Sequence, residues 1–281
     1  MTGTNVDPLR WEEMSWPELT SLSGEVGLVP VGATEQHGPH LPTGTDTIIA
    51  TALCHEASAR TGAPVLPSIS VAASYGHGTV LPGTLSFSAQ LLGDIVTAYA
   101  EWAATSGLTR LILLNAHLGN DAALGVATDH LRLFRPDLRL AVVHWWTLDP
   151  WVSAEMVADG DDVHANRAET SMMLAIAPHL VHRNRMVDAD DPDRTADLVF
   201  RYTAPALSNN GVTGTPSAAT DELGVELFER TAGALSALIE RARREEPPLG
   251  VAPPPTLGGV NPSRTSQQTT PTSQGTLSWT L

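Results

Sequence analysis

Lysine is absent from the 281 residues, so the sixteen Lys and Arg positions are all arginine, set against thirty-one Asp and Glu and a net charge of −15. With no basic stripe there is nothing to neutralise a phosphate backbone, and nucleic acid is not an expected partner. Cysteine is nearly absent as well: Cys54 stands alone inside a helix-like stretch. That excludes an internal disulfide framework and fits a reducing compartment. Serine never occurs in a Gly-x-Ser-x-Gly setting, and neither a Walker loop nor a dinucleotide fingerprint is present. No apolar run approaches the ~18–20 residues of a membrane span, so no membrane partner is expected. Met1 to Pro8 lacks the apolar core of a signal peptide, which leaves the cytoplasm as the expected location. Aromatics make up only 5% of the chain, yet three of the seven tryptophans fall within His144–Trp151.

What the chain does have is 42% hydrophobic residues, enough for a substantial core. Strand-like runs at 27–32, 63–70, 110–115 and 138–144 alternate with helix-like stretches at 47–60, 88–105, 121–134, 168–178 and 221–244. That alternation predicts an α/β fold with a mainly parallel sheet covered by helices. One domain is expected over residues 1–246. Beyond it, Pro, Gly, Ser, Thr and Gln dominate 247–281, a composition with little to bury and a tail expected to stay disordered. The acidic run Asp188–Asp193 reads as a solvated turn with no metal role.

Three blocks carry chemistry. In the first, Glu35-Gln36-His37-Gly38-Pro39-His40-Leu41-Pro42 leaves the carboxyl end of the apolar run 27–32, and Asp46 follows where the next helix begins. Ligands of α/β sheets collect at that edge. The two-residue spacing of Glu35 and His37 in extended chain aims both to one side. Two carboxylates and an imidazole suit zinc, manganese or iron, and Asp46 is the candidate bridge between two ions. In the second block, Asn115-Ala116-His117-Leu118-Gly119-Asn120-Asp121 leaves the run 110–114. The asparagines can bond the loop backbone, and Asn120 or Asp121 can cap the next helix. The third, His164-Ala165-Asn166-Arg167-Ala168-Glu169-Thr170-Ser171, opens an apolar helix. Each block also has an ordinary reading: His117 as a buried loop histidine, Glu169 as a first-turn complement to a helix dipole, and His164 on an exposed loop.

Together and in this order, the blocks resemble the creatininase family of metal-dependent amidohydrolases. That pattern runs Glu-x-His-Gly-x-His-Leu-Pro-x-x-x-Asp, then an Asn-Gly-His-Gly-Gly-Asn-like segment, then a His-Ala-Gly-x-x-Glu-Thr-Ser-like segment. The resemblance spans roughly residues 15 to 240 and adds Pro82-Gly83-Thr84-Leu85-Ser86 and Gly211-Val212-Thr213-Gly214. It implies three-layer α/β/α architecture and two divalent ions, zinc and/or manganese with iron as an option. Glu35 and His117 would hold one ion, His37 the other, and Asp46 would bridge. Glu169 would be a further ligand or a base, and His164 the general acid that protonates the leaving nitrogen, with Glu169 as runner-up. Family members commonly form homo-oligomers, often hexamers.

Departures from the pattern bear on substrate. Gly119 stands where creatininases proper have a metal-binding Glu, and Leu118 replaces their substrate-side Tyr. Arg167 adds a cation suited either to a substrate carboxylate or to an ion pair with Asp161 or Asp162. Trp146 is the candidate pocket wall among tryptophans that otherwise fill a core or a subunit contact. The expected reaction is hydrolysis of a C–N bond in a small cyclic amide or related amide. A peptidase trimming a modified precursor peptide, as in the mycofactocin system, and a formamide deformylase are the alternatives. Gly119 alone argues for a metal-poor binding or scaffold member.

Overall fold

A computed structural model describes residues 6–250, Thr79 excepted. In chain order the elements are helix α1 (Trp16–Ser21), strand β1 (Val26–Val31), helices α2 (Thr45–Thr61) and α3 (Ala89–Thr105), strand β2 (Arg110–Asn115), helix α4 (Asp121–Phe134) and strand β3 (Arg139–His144). Helices α5 (Pro150–Met156), α6 (Arg167–Ile176), α7 (Met186–Ala189), α8 (Ala204–Leu207) and α9 (Asp221–Arg244) follow. The strands form one parallel sheet in the order β1-β2-β3. Its register places Val31 beside Asn115 and Asn115 beside His144, so the three carboxyl ends are level.

Alternation along each strand divides the core in two. Val26 and Leu28 with Ile112 and Leu114 pack under α2, α6 and α9. Val29 and Val31 with Leu111 and Leu113 pack under α3 and α4. Strands apolar on both faces need helices on both, and the result is the expected three-layer α/β/α. The five long helices begin and end within two residues of the positions read from periodicity.

One expected strand is absent. Residues 63–70 run beside β1 but make only isolated bridges, Val65 to Leu28 and Ile69 to Val31. The N–H of Leu28 donates to the Pro64 carbonyl at 2.8 Å, and that of Ile69 to the Pro30 carbonyl at 2.9 Å. Pro64 and Pro67 have no N–H to give, so the ladder cannot be continuous. The Asp188–Asp193 run also differs from a solvated turn. Asp191 is buried, and its carboxylate accepts from the Asn209 N–H at 2.7 Å and the Ser208 hydroxyl at 2.9 Å, anchoring the segment that leads to Gly211. The expected tail lies, from residue 251 on, outside the described residues. Among the described residues no helix is long and apolar enough to cross a membrane.

Thr231 faces the core from α9 with no exposure, and its hydroxyl has no hydrogen-bond partner. An unpaired buried hydroxyl opposes folding, and valine supplies a methyl of the same shape. Thr231→Val is expected to raise stability by about 1 kcal/mol, read as an increased Tm; a lowered Tm would mean that the hydroxyl is satisfied.

Candidate active site

All three blocks reach the carboxyl edge of the sheet. The chain leaves β1 as Glu35-Gln36-His37 and turns through Gly38 into α2, whose first turn carries Asp46. It leaves β2 as Ala116-His117, a loop fixed by two amides. Asn115 Oδ1 accepts from the His117 N–H (3.1 Å), and Asn120 Nδ2 donates to the Gly32 carbonyl (3.0 Å) while its Oδ1 accepts from the Ala73 N–H (3.1 Å). Asn120 therefore ties the loop to neighbouring chain and does not cap α4 with its side chain. The third block reaches the edge from the opposite direction. His164 pairs with Thr213, Ala165 is held at φ +51°, and Asn166 caps α6 by accepting from the Glu169 N–H at 3.0 Å. A left-handed alanine is strained, and such strain collects at functional sites.

The side chains converge in a buried cluster. His117 Nδ1 lies 3.2 Å from Glu35 Oε1 and 3.4 Å from Asp46 Oδ2, and His37 Nε2 lies 3.0 Å from Asp46 Oδ1. Ligand atoms fall within 4.8 Å of one another in three sets: Glu35, Asp46 and His117; His37, Asp46 and Glu169; and Glu35, His37 and His164. The far ring nitrogens fix the tautomers, since His117 Nε2 is 3.0 Å from the Ala73 carbonyl and His37 Nδ1 is 3.2 Å from the Glu35 carbonyl. Once the inner nitrogens are deprotonated their lone pairs would face inward, with the support found behind metal-ligating histidines. Both Glu35 oxygens, Asp46 Oδ2 and Glu169 Oε2 are buried and meet no donor other than the imidazole nitrogens of the cluster. Oxygen and imidazole donors of this kind fit divalent zinc or manganese.

Protons balance the charge in the bare cluster. Burial opposes a charge on His37, but Asp46 outweighs it and lifts the imidazole to about 10. Burial is likewise overcome at His117 by Glu35, which lifts it to about 9. Glu35 is held far below the usual carboxylate range despite its burial, chiefly by His117. Burial, reinforced by Asp46 and Glu35 against the pull of His37, raises Glu169 to about 7. His164 is pushed well below its ordinary value by burial and by His77 and His37.

A cavity of about 310 Å³ opens onto the cluster and is lined by Glu35, Asp46, His117, His164 and Glu169, with Leu118 and Trp146 on its wall. Leu118 is exposed, and Trp146 packs against the fully buried Trp145 at 5.6 Å. Arg167 is elsewhere. At the start of α6 its guanidinium pairs with Glu155 of α5, not with Asp161 or Asp162, and it is not among the residues lining the cavity. Gly119 has a physical explanation. A Cβ there would meet the Ala73 carbonyl at 2.2 Å and His117 Nε2 at 2.3 Å, so any side chain would displace His117; the carboxylate beside His37 and Asp46 is that of Glu169, from the third block. His40 is a buried strut, bonded to the Thr170 hydroxyl at 2.8 Å.

Sequence reasoning missed His77. It lines the cavity 4.0 Å from Glu35 Oε2, and its ring lies 4.2 Å from that of His164. Its one sequence signal is position, five residues before the Pro82-Gly83-Thr84 turn, whose Thr84 hydroxyl accepts from the Gln36 N–H at 3.1 Å.

The creatininase family model, described as creatinine amidohydrolase, matches residues 12–239. The mycofactocin precursor peptide peptidase of Mycolicibacterium smegmatis is 34% identical over 229 residues, covering 78% of this chain and 85% of that protein. The creatinine amidohydrolase of Pseudomonas putida is 30% identical over 254 residues, covering 84% and 96%. A solved mutant creatininase of Zn-Zn type superimposes with a TM-score of 0.72 at 27% identity, covering 85% of this chain and 99% of that one.

Because His37 and His117 titrate near 10 and 9 in the bare cluster, both carry protons at pH 7 and must lose them to present lone pairs. Metal uptake at pH 7 is therefore expected to release about two protons per subunit, with affinity rising as pH increases toward 9 to 10. Calorimetry of zinc binding in buffers of different ionisation enthalpy measures the release; none at all would remove these histidines from the ligand set.

Proposed function

The chain belongs to the creatininase family of hydrolases acting on C–N bonds, and from that membership we propose that it cleaves an amide with two divalent ions held side by side. Glu35, Asp46 and His117 would hold one ion and His37, Asp46 and Glu169 the other, with Asp46 in common. The observation that carries this reading is the convergence of buried carboxylate oxygens on Glu35, Asp46 and Glu169 that meet no donor beyond the cluster's own imidazoles. Zinc and manganese both suit such donors, and the bound ions would acidify water and polarise the amide carbonyl.

The chain's own groups do the rest. An amide nitrogen leaves only when protonated, so a proton must be carried to it. His164, buried and neutral, has its Nε2 2.8 Å from the Gln36 carbonyl and its Nδ1 3.5 Å from Glu35 Oε1. It takes the proton of the attacking water at Nδ1 and delivers it to the departing nitrogen. Trp146 and Leu118 supply apolar wall to the cavity in which this transfer takes place.

A small cyclic amide is the substrate class this donor set and family suggest first. A second reading, the end of a short modified peptide, is favoured by the rim, where exposed Leu118 and Tyr202 line the cavity and give a longer substrate a way out. The comparison to make is hydrolysis of creatinine against a mycofactocin-type precursor peptide, with metal content measured before and after chelation. Chelator-insensitive hydrolysis would refute the metal-dependent reading.

Asp46→Ala is expected to lose both ions and all turnover, whereas His164→Ala keeps its metal and loses about 10²–10⁴-fold in kcat. Full metal occupancy in the Asp46→Ala protein would defeat the shared-ligand assignment.

A further inference from the structure

Gln36 lies between two ligands and is buried, yet it contributes no ligand atom. Its side chain is oriented by backbone on both sides: Oε1 accepts from the Gly38 N–H and Nε2 donates to the Gly211 carbonyl, each at 3.0 Å. Those two partners settle which end of the amide is oxygen and which is nitrogen. Gly211 makes the nest possible. It sits at φ +83°, and a Cβ there would come within 2.0 Å of Gln36 Oε1.

Two histidine nitrogens then approach the same residue. His164 Nε2 lies 2.8 Å from the Gln36 backbone carbonyl, which can only accept, so that nitrogen carries a proton and cannot also accept from the side chain. His77 Nδ1 lies 3.0 Å from Gln36 Nε2. One amide hydrogen is used by Gly211, and the other has His77 Nδ1 as the acceptor left to it. His77 therefore carries its proton on Nε2, the nitrogen that faces the cluster 4.0 Å from Glu35 Oε2, too far to be spent on that carboxylate.

We propose that Gln36 writes opposite tautomers on two neighbouring histidines, its backbone leaving His164 a free lone pair at Nδ1 and its side chain leaving His77 a free N–H at Nε2. The His77 N–H is a catalytic donor to the carbonyl oxygen of the substrate amide, a role that rests on the hydrolase reading above. A donor-only nitrogen cannot take the water's proton, so the two rings divide the work: His164 moves the proton and His77 holds the oxygen as charge builds on it. Gln36 is the positioning residue, acting through both rings.

The test is nitrogen-15 NMR of the zinc-loaded protein labelled in its histidine rings, with His77→Asn to assign the His77 signals. Wild-type protein is expected to show a pyridine-like Nδ1 and a pyrrole-like Nε2 on His77, and the reverse on His164. A pyrrole-like Nδ1 on His77 would overturn the proposal from the wild-type spectrum alone. In Gln36→Glu the side chain can no longer donate, and a proton is expected on His77 Nδ1; an unchanged Nδ1 signal would remove Gln36 from control. His77→Ala is expected to lower kcat about 10²–10³-fold with KM little changed, on whichever of creatinine or the precursor peptide is hydrolysed. Unchanged kcat would overturn the donor role. If neither compound is hydrolysed the substrate reading fails, and the spectra still decide the tautomers.

Discussion

Three buried carboxylates meeting at the carboxyl edge of a three-stranded sheet impose the constraint on which the site depends. Charge of one sign cannot be gathered away from water unless charge of the other sign joins it. Here Glu35, Asp46 and Glu169 leave four buried oxygens that meet no donor beyond the imidazoles of the cluster. In the bare protein the imidazoliums of His37 and His117 supply the balance, which is why both titrate far above an ordinary histidine. Both rings turn toward the carboxylates the nitrogen that carries that proton, His117 Nδ1 to Glu35 and His37 Nε2 to Asp46.

The fold brings this about with modest means. A parallel register levels the ends of β1, β2 and β3, and connections leaving those ends are aimed at a common point. Asn115 and Asn120 hold the second loop, Asn166 caps the third block, and buried Asp191 anchors the segment carrying Gly211. Each fixes backbone so that a side chain of the cluster has one orientation.

Gly119 and Leu118 show how the site departs from its relatives' pattern without losing its charge balance. Close packing of Gly119 against the Ala73 carbonyl and the His117 ring excludes a side chain there, and the third block still supplies Glu169 beside His37 and Asp46. Leu118 puts an exposed apolar side chain on the cavity wall and leaves the charged cluster untouched.

Local pattern was enough for much of this protein. Alternating apolar runs determined the layered α/β architecture and the long helices, because burial on both faces of a parallel strand leaves the same mark wherever it occurs. The compact spacing of Glu35, His37 and Asp46, with His117 after the next strand, was legible for the same reason: strand ends are where such residues meet. Residues joined only by long-range packing were not. His77 lies on a connection with no periodicity, and only the fold sets it against His164; Arg167 was expected to meet a substrate carboxylate or Asp161 or Asp162, and α5 placed Glu155 beside it. The segment 63–70 had strand composition, but its prolines decide pairing only once a neighbour's carbonyls and N–H groups are in place. Sequence by itself determined which chemistry the chain carries; tertiary structure decided which nitrogen of each ring faces the cavity, since a tautomer is set by partners far away along the chain.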